Sequence, residues 1–117
     1  MNGLLVINKE KNYTSRDIVN IVSKKLGTKK IGHTGTLDPM AEGVLVLCVN
    51  KYTSLVELIT NFDKEYVGEI TLGIETDTLD ITGNVIKSSD ASHITKDKII
   101  EALNFYRKSY EQEVPIY

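Results

Sequence analysis

The chain is poor in cysteine, in long apolar runs and in excess basic charge, and each shortage excludes something. Cys48 is the single cysteine, which rules out an internal disulfide framework and a cysteine-based zinc site. It reads as a small buried strand residue in a reducing compartment, not as a nucleophile. No apolar stretch approaches the ~20 residues of a membrane span. Residues 1–9 lack the basic region and cleavage site of a secretory signal, so a cytoplasmic location without membrane attachment is expected. Internal repeats and low-complexity tracts are also missing. At 117 residues the chain is one domain at most, or a piece of one.

The formal net charge of −2 looks wrong for a nucleic-acid binder, but its distribution is uneven. Residues 1–38 hold seven bases against three acids, a net of +4, and the remainder holds seven against thirteen, a net of −6. Positive charge thus gathers in the N-terminal third, where a phosphate backbone would be attracted.

Hydrophobic patterning predicts a strand over residues 3–8 and a second over residues 44–49. Thr14 and Asp17 have the spacing of a capping box for a helix over residues 15–26, with Ile18, Val22 and Leu26 on one face and Gly27 as its stop. Ser54 and Glu57 predict another capping box and a short helix to residue 60. Residues 65–72 read as a strand, 73–84 as a polar loop and 85–87 as a short returning strand. Thr95 is expected to cap a last helix, with Ile99, Leu103 and Tyr106 on one face. This order predicts an α+β fold with one mixed, largely antiparallel sheet flanked by helices.

The richest segment is Gly32-His33-Thr34-Gly35-Thr36-Leu37-Asp38-Pro39-Met40-Ala41-Glu42-Gly43-Val44-Leu45. Gly32 and Gly35 are expected to use backbone angles closed to other residues and to let a ligand approach the main chain. Pro39 fixes its own φ and pushes Asp38 toward an extended conformation. A carboxylate held in this way can serve as nucleophile, general base or metal ligand. An Asp that merely caps a turn before Pro is the commoner fate of such a residue.

That run resembles the catalytic motif of the TruB family of tRNA pseudouridine synthases, which isomerise a uridine in the T-loop of tRNA. The resemblance implies that Asp38 is the catalytic aspartate and that Tyr66, in Asp63-Lys64-Glu65-Tyr66, packs on the target uracil and helps remove its C5 proton. It places His33 against rearranged RNA near the vacated stack, a task that suits a planar ring with donor and acceptor nitrogens. RNA contact is expected from Gly32, His33, Thr34 and Gly35, and from Lys9, Lys29, Lys30 and Lys64 around them.

Lys9, Thr14 and Ser15 also keep their places in a family stretch D-K-P-x-G-x-T-S. Here Asn8, Glu10 and Asn12 replace its Asp, Pro and Gly. A looser turn after the first strand is therefore expected, with a structural or phosphate-contact role for Lys9, Thr14 and Ser15. Gln112-Glu113-Val114-Pro115-Ile116-Tyr117 is similar to a family stretch Q-x-P-P-x-Y that leads into more of the catalytic domain. Residues 1–117 are thus expected to be the N-terminal portion of that domain. The resemblance implies that its C-terminal half, with an arginine that pairs with the aspartate, and a PUA-type domain are expected to lie outside these residues. The implied partner is tRNA, through its T-arm. No cofactor or metal is expected, and the full-length protein is expected to be a monomer.

Other readings compete. A non-catalytic fragment that binds and refolds tRNA would use the same basic segment. Glu75, Asp77 and Asp80 could ligate a metal for hydrolysis, but they lack the glycine placement and terminal glutamate of a calcium loop. No Gly-Lys-Ser/Thr follows Gly35 and a strand comes next, so a nucleotide phosphate loop is set aside. His93 reads as a surface residue.

Overall fold

In the computed structural model, which describes residues 1–114, the first apolar run becomes strand β1 (Gly3–Lys9). Its side chains alternate: Leu5 and Ile7 turn toward the core, while Leu4 and Val6 are exposed. The strand is therefore buried on one face only, as period-two geometry dictates. Helix α1 (Ser15–Leu26) starts at the expected capping box. Thr14 Oγ1 accepts the Asp17 amide at 3.0 Å, and the Asp17 carboxylate accepts the Thr14 amide at 2.8 Å. Gly27 ends the helix at φ 64°, in the left-handed region that costs glycine nothing.

Two further strands, β2 (Ile31–His33) and β3 (Gly43–Val49), complete a three-stranded antiparallel sheet of order β1-β3-β2. The register pairs Gly3 with Val49 and Lys9 with Gly43 on one side of β3, and His33 with Leu47 on the other. Central β3 is the most apolar strand, and Leu45, Leu47, Cys48 and Val49 are buried. Ile18 and Val19 of α1 pack on Leu45 and Leu47, joined by Leu5, Ile7, Val22, Ile31 and Leu37. Each fully buried aliphatic side chain here contributes roughly 1.5–3 kcal/mol.

After β3 the chain turns at Asn50, which has φ 53° and donates its amide to the Lys30 carbonyl at 2.8 Å. A 3-10 turn (Asn50–Leu55) then leads into α2 (Val56–Thr60). The expected Ser54–Glu57 capping box does not form, because the 3-10 turn already occupies Ser54. Its hydroxyl donates instead to the Lys51 carbonyl at 3.0 Å, and α2 has no side-chain cap.

Contacts divide the chain after Glu65, and residues from Tyr66 onward form a second unit. Within it, β4 (Ile74–Thr76) and β5 (Val85–Ser88) make a two-stranded antiparallel hairpin, and α3 (Lys96–Tyr106) follows with Thr95 as its cap. The strand expected over residues 65–72 is not formed. Val67 is 97 % exposed and Ile70 79 %, and with no strand to pair with, β propensity alone cannot hold an extended segment. Among the described residues the single predicted sheet is accordingly two, both antiparallel, and the class is α+β. The predicted face of α3 exists in sequence, yet Ile99, Leu103 and Tyr106 remain exposed. Of the Q-x-P-P-x-Y-like stretch, residues 115–117 lie outside the described residues.

Candidate active site

The loop joining β2 to β3 carries Asp38, and residues on both sides of the carboxylate are fastened to the body of the first unit. On the N-terminal side, Leu37 packs its side chain against the core cluster. Its amide donates to Ser15 Oγ at 2.9 Å, and the same hydroxyl lies 3.4 Å from the Leu37 carbonyl. Ser15 is buried at the start of α1. On the C-terminal side, the Pro39 carbonyl accepts the Asn12 amide at 2.7 Å and the Lys9 ammonium at 3.4 Å. The Asp38 carbonyl accepts the Ala41 amide at 3.0 Å, closing a turn. Asp38 itself is exposed, so a fixed main chain presents its carboxylate to solvent.

Of the two roles expected for Lys9, structural and phosphate-contacting, the geometry fits the structural one. Lys9 is 0 % exposed, and its ammonium donates to the carbonyls of Glu10 (3.0 Å), Tyr13 (2.7 Å) and Pro39. The ammonium is satisfied internally by these three carbonyls, which is a structural use of Lys9. The turn it supports is not loose. Asn12 adopts φ 69°, the conformation a glycine would provide, and asparagine is among the few residues that tolerate it.

Thr34 is buried, and both its amide and its hydroxyl donate to the Val46 carbonyl, at 3.0 and 3.2 Å. Those groups extend the sheet. Gly32 and Gly35 do not use positive φ, contrary to the expectation. At Gly32 an added Cβ would stand 2.9 Å from Val56 Cγ2, so close packing of α2 explains that glycine. At Gly35 the nearest atom to an added Cβ is Lys64 Cε at 3.8 Å.

His33 ends β2 and is half-buried. Its Nδ1 lies 3.0 Å from the Gly35 carbonyl oxygen. A carbonyl only accepts, so Nδ1 carries a proton in this contact. Lys64 is exposed and donates to the carbonyls of Thr60 and Phe62, capping the end of α2. Lys29 and Lys30 are exposed in the turn before β2. Tyr66 belongs to the second unit, 69 % exposed and outside any regular element.

Asp77 and Asp80 are occupied by the β4–β5 turn. Asp77 accepts the Asn84 amide at 2.8 Å, and Asp80 accepts the Thr82 amide at 2.8 Å together with the Thr78 and Thr82 hydroxyls. The Thr82 hydrogen bonds hold Asp80 below the usual carboxylate range. No cluster able to hold a metal occurs among the described residues, which removes support for the metal-hydrolase reading. No described helix is long and apolar enough to cross a membrane. Two concavities, of about 290 and 210 Å³, are lined by residues 69–89 of the second unit, and neither includes Asp38.

Sequence reasoning singles out Asp38 and its loop, but not the fastenings. Asn12 and Ser15 were visible only as members of a motif-like stretch, and nothing local in sequence says that they grip residues 37 and 39.

Comparison with known proteins agrees with the motif. The description "TruB family pseudouridylate synthase (N terminal domain)" matches residues 23–117, a span that contains Asp38 and its loop. The chain is 44 % identical over 117 residues to the tRNA pseudouridine synthase B of Clostridium perfringens, covering all of this chain and 40 % of that protein. With the enzyme of the same name from Clostridioides difficile it shares 45 % identity, covering 39 % of the relative, and with that of Acholeplasma laidlawii 45 %, covering 42 %. The chain thus spans well under half the length of these relatives. On this match and on the loop that holds Asp38, the chain belongs to the TruB family of pseudouridylate synthases.

Proposed function

We propose that residues 1–117 are the N-terminal portion of a catalytic domain that converts a T-loop uridine of tRNA, position 55, to pseudouridine. The reading rests chiefly on the exposed Asp38, whose two neighbours are hydrogen-bonded to Ser15 and to Asn12 and Lys9 while its carboxylate faces solvent. The isomerisation breaks a C–N glycosidic bond, rotates the uracil and joins C5 to the same ribose, with no redox change and no energy donor. Asp38 can serve by attack on uracil C6, by attack on C1′ or by deprotonating the sugar.

The target base must leave its stack, which costs a few kcal/mol that pocket contacts offset. Tyr66 would provide an aromatic face worth about 1–3 kcal/mol of stacking. His33 would meet the rearranged RNA through Nε2, the ring nitrogen not bonded to Gly35. Exposed Lys29 and Lys30 would neutralise phosphate. On this reading the rest of the catalytic domain and a PUA-type RNA-binding domain lie outside residues 1–117, and the segment alone turns over little substrate. The complete protein acts in the cytoplasm, as a monomer and without cofactor or metal.

Tritium release from tRNA labelled at uridine C5 tests this in the complete gene product. Asp38→Asn should abolish release while tRNA binding persists. Unchanged release would overturn the catalytic assignment. An unmodified protein that binds tRNA but never releases tritium would favour a tRNA-holding role, which the basic N-terminal third would also serve.

A further inference from the structure

We infer that Ser15 is a positioning residue for Asp38, acting through the main chain of Leu37. The inference rests on the proposed catalytic role of Asp38 and concerns how that carboxylate is kept in place.

Asp38 is exposed, and the hydrogen bond at its own position is a main-chain one, from Ala41 to its carbonyl. Its location is therefore inherited from its neighbours. On the Pro39 side the grip comes from an amide and a buried ammonium, Asn12 N at 2.7 Å and Lys9 Nζ at 3.4 Å. On the Leu37 side the polar grip is one hydroxyl, Ser15 Oγ, which accepts the Leu37 amide at 2.9 Å. Both grips come from the stretch that runs from the last residue of β1 to the first turn of α1, so one short segment brackets the carboxylate from either side. Ser15 lies at 3 % exposure, and its hydroxyl, with donor and acceptor capacity, faces both the amide and the carbonyl of the same residue. Alanine there would keep the helix and the packing of Leu37 but release one polar anchor.

Such a residue should act on turnover more than on binding, because misplacing a reacting group by about 1 Å can cost about a hundredfold in rate. The test compares the complete gene product with Ser15→Ala, Ser15→Thr and Asp38→Asn. Steady-state kinetics on tRNA are paired with amide exchange. Ser15→Ala should lower kcat at least about tenfold with KM within about threefold, and Ser15→Thr should restore most of kcat. The Leu37 amide should exchange at least about tenfold faster in Ser15→Ala, while residues 45–49 of β3 keep their protection.

The proposal is overturned if Asp38→Asn abolishes turnover but Ser15→Ala stays within about twofold of the unmodified protein. It is equally overturned if the loss in Ser15→Ala comes with lost protection across β3, since that marks a folding defect. If Asp38→Asn retains turnover, the catalytic reading fails and the proposal falls with it, and that result is distinct from the other two.

Discussion

The amide of Asn12 meets the carbonyl of Pro39 at 2.7 Å, and it does so from a left-handed backbone, φ 69°. The geometry explains why asparagine can stand where the family stretch has glycine. Asn12→Gly should therefore keep the fold and match or exceed the original stability. Asn12→Val, with a branched Cβ in that region, should lose about 1–2 kcal/mol. Urea unfolding of the three proteins checks both, and a Val variant as stable as the parent would contradict the assigned role of the turn.

Lys9 and the Lys29–Lys30 pair should separate cleanly under mutation. Lys9→Met removes the donor from three carbonyls, so a loss of about 1–3 kcal/mol of stability is expected. Lys29→Ala and Lys30→Ala should leave the melting temperature nearly unchanged. Each should instead reduce the salt slope of tRNA binding by about one unit if it contacts a phosphate. Thermal melts and binding titrations at several salt concentrations distinguish the two classes.

Acid should loosen the start of α1. The Thr14 amide and hydroxyl hold the Asp17 carboxyl below its ordinary range. The folded state thus binds the proton less readily than the unfolded chain. The contribution is present above the unfolded value, ~3.9, and is lost as pH falls through the lowered folded value. Asp17→Asn should flatten this part of the pH dependence, as read by circular dichroism in urea at pH 5 and pH 3. An unchanged slope would remove the capping box from the account.

Cys48 should be a slow thiol. Its burial in β3 pushes its pKa up, and the thiolate is the reactive form. Alkylation by iodoacetamide should be negligible under native conditions and should follow the unfolding curve in denaturant. Rapid native labelling would mean that the sheet opens far more readily than its packing implies.

Much of the first unit was legible because its signals are local. Thr14, Asp17 and Gly27 each act within a few residues of their positions, and β1 and β3 are apolar enough to show themselves. Strand β2 was missed because three residues carry little pattern, and it exists by pairing with β3. The strand read over residues 65–72 failed for the opposite reason, having propensity without a partner. At the site, Asp38 was legible from its motif, whereas the burial of Lys9 and Thr34 was not. A count of charges or hydroxyls cannot tell a solvated group from one turned inward onto carbonyls.

Leu37 packs its side chain against the core while the next residue carries the carboxylate. A tip rooted in this way does not fray ahead of the body that anchors it. On warming, the Asp38 corner should hold its shape until the β1-β3-β2 sheet itself melts, so that loss of the corner and melting of that sheet share one temperature.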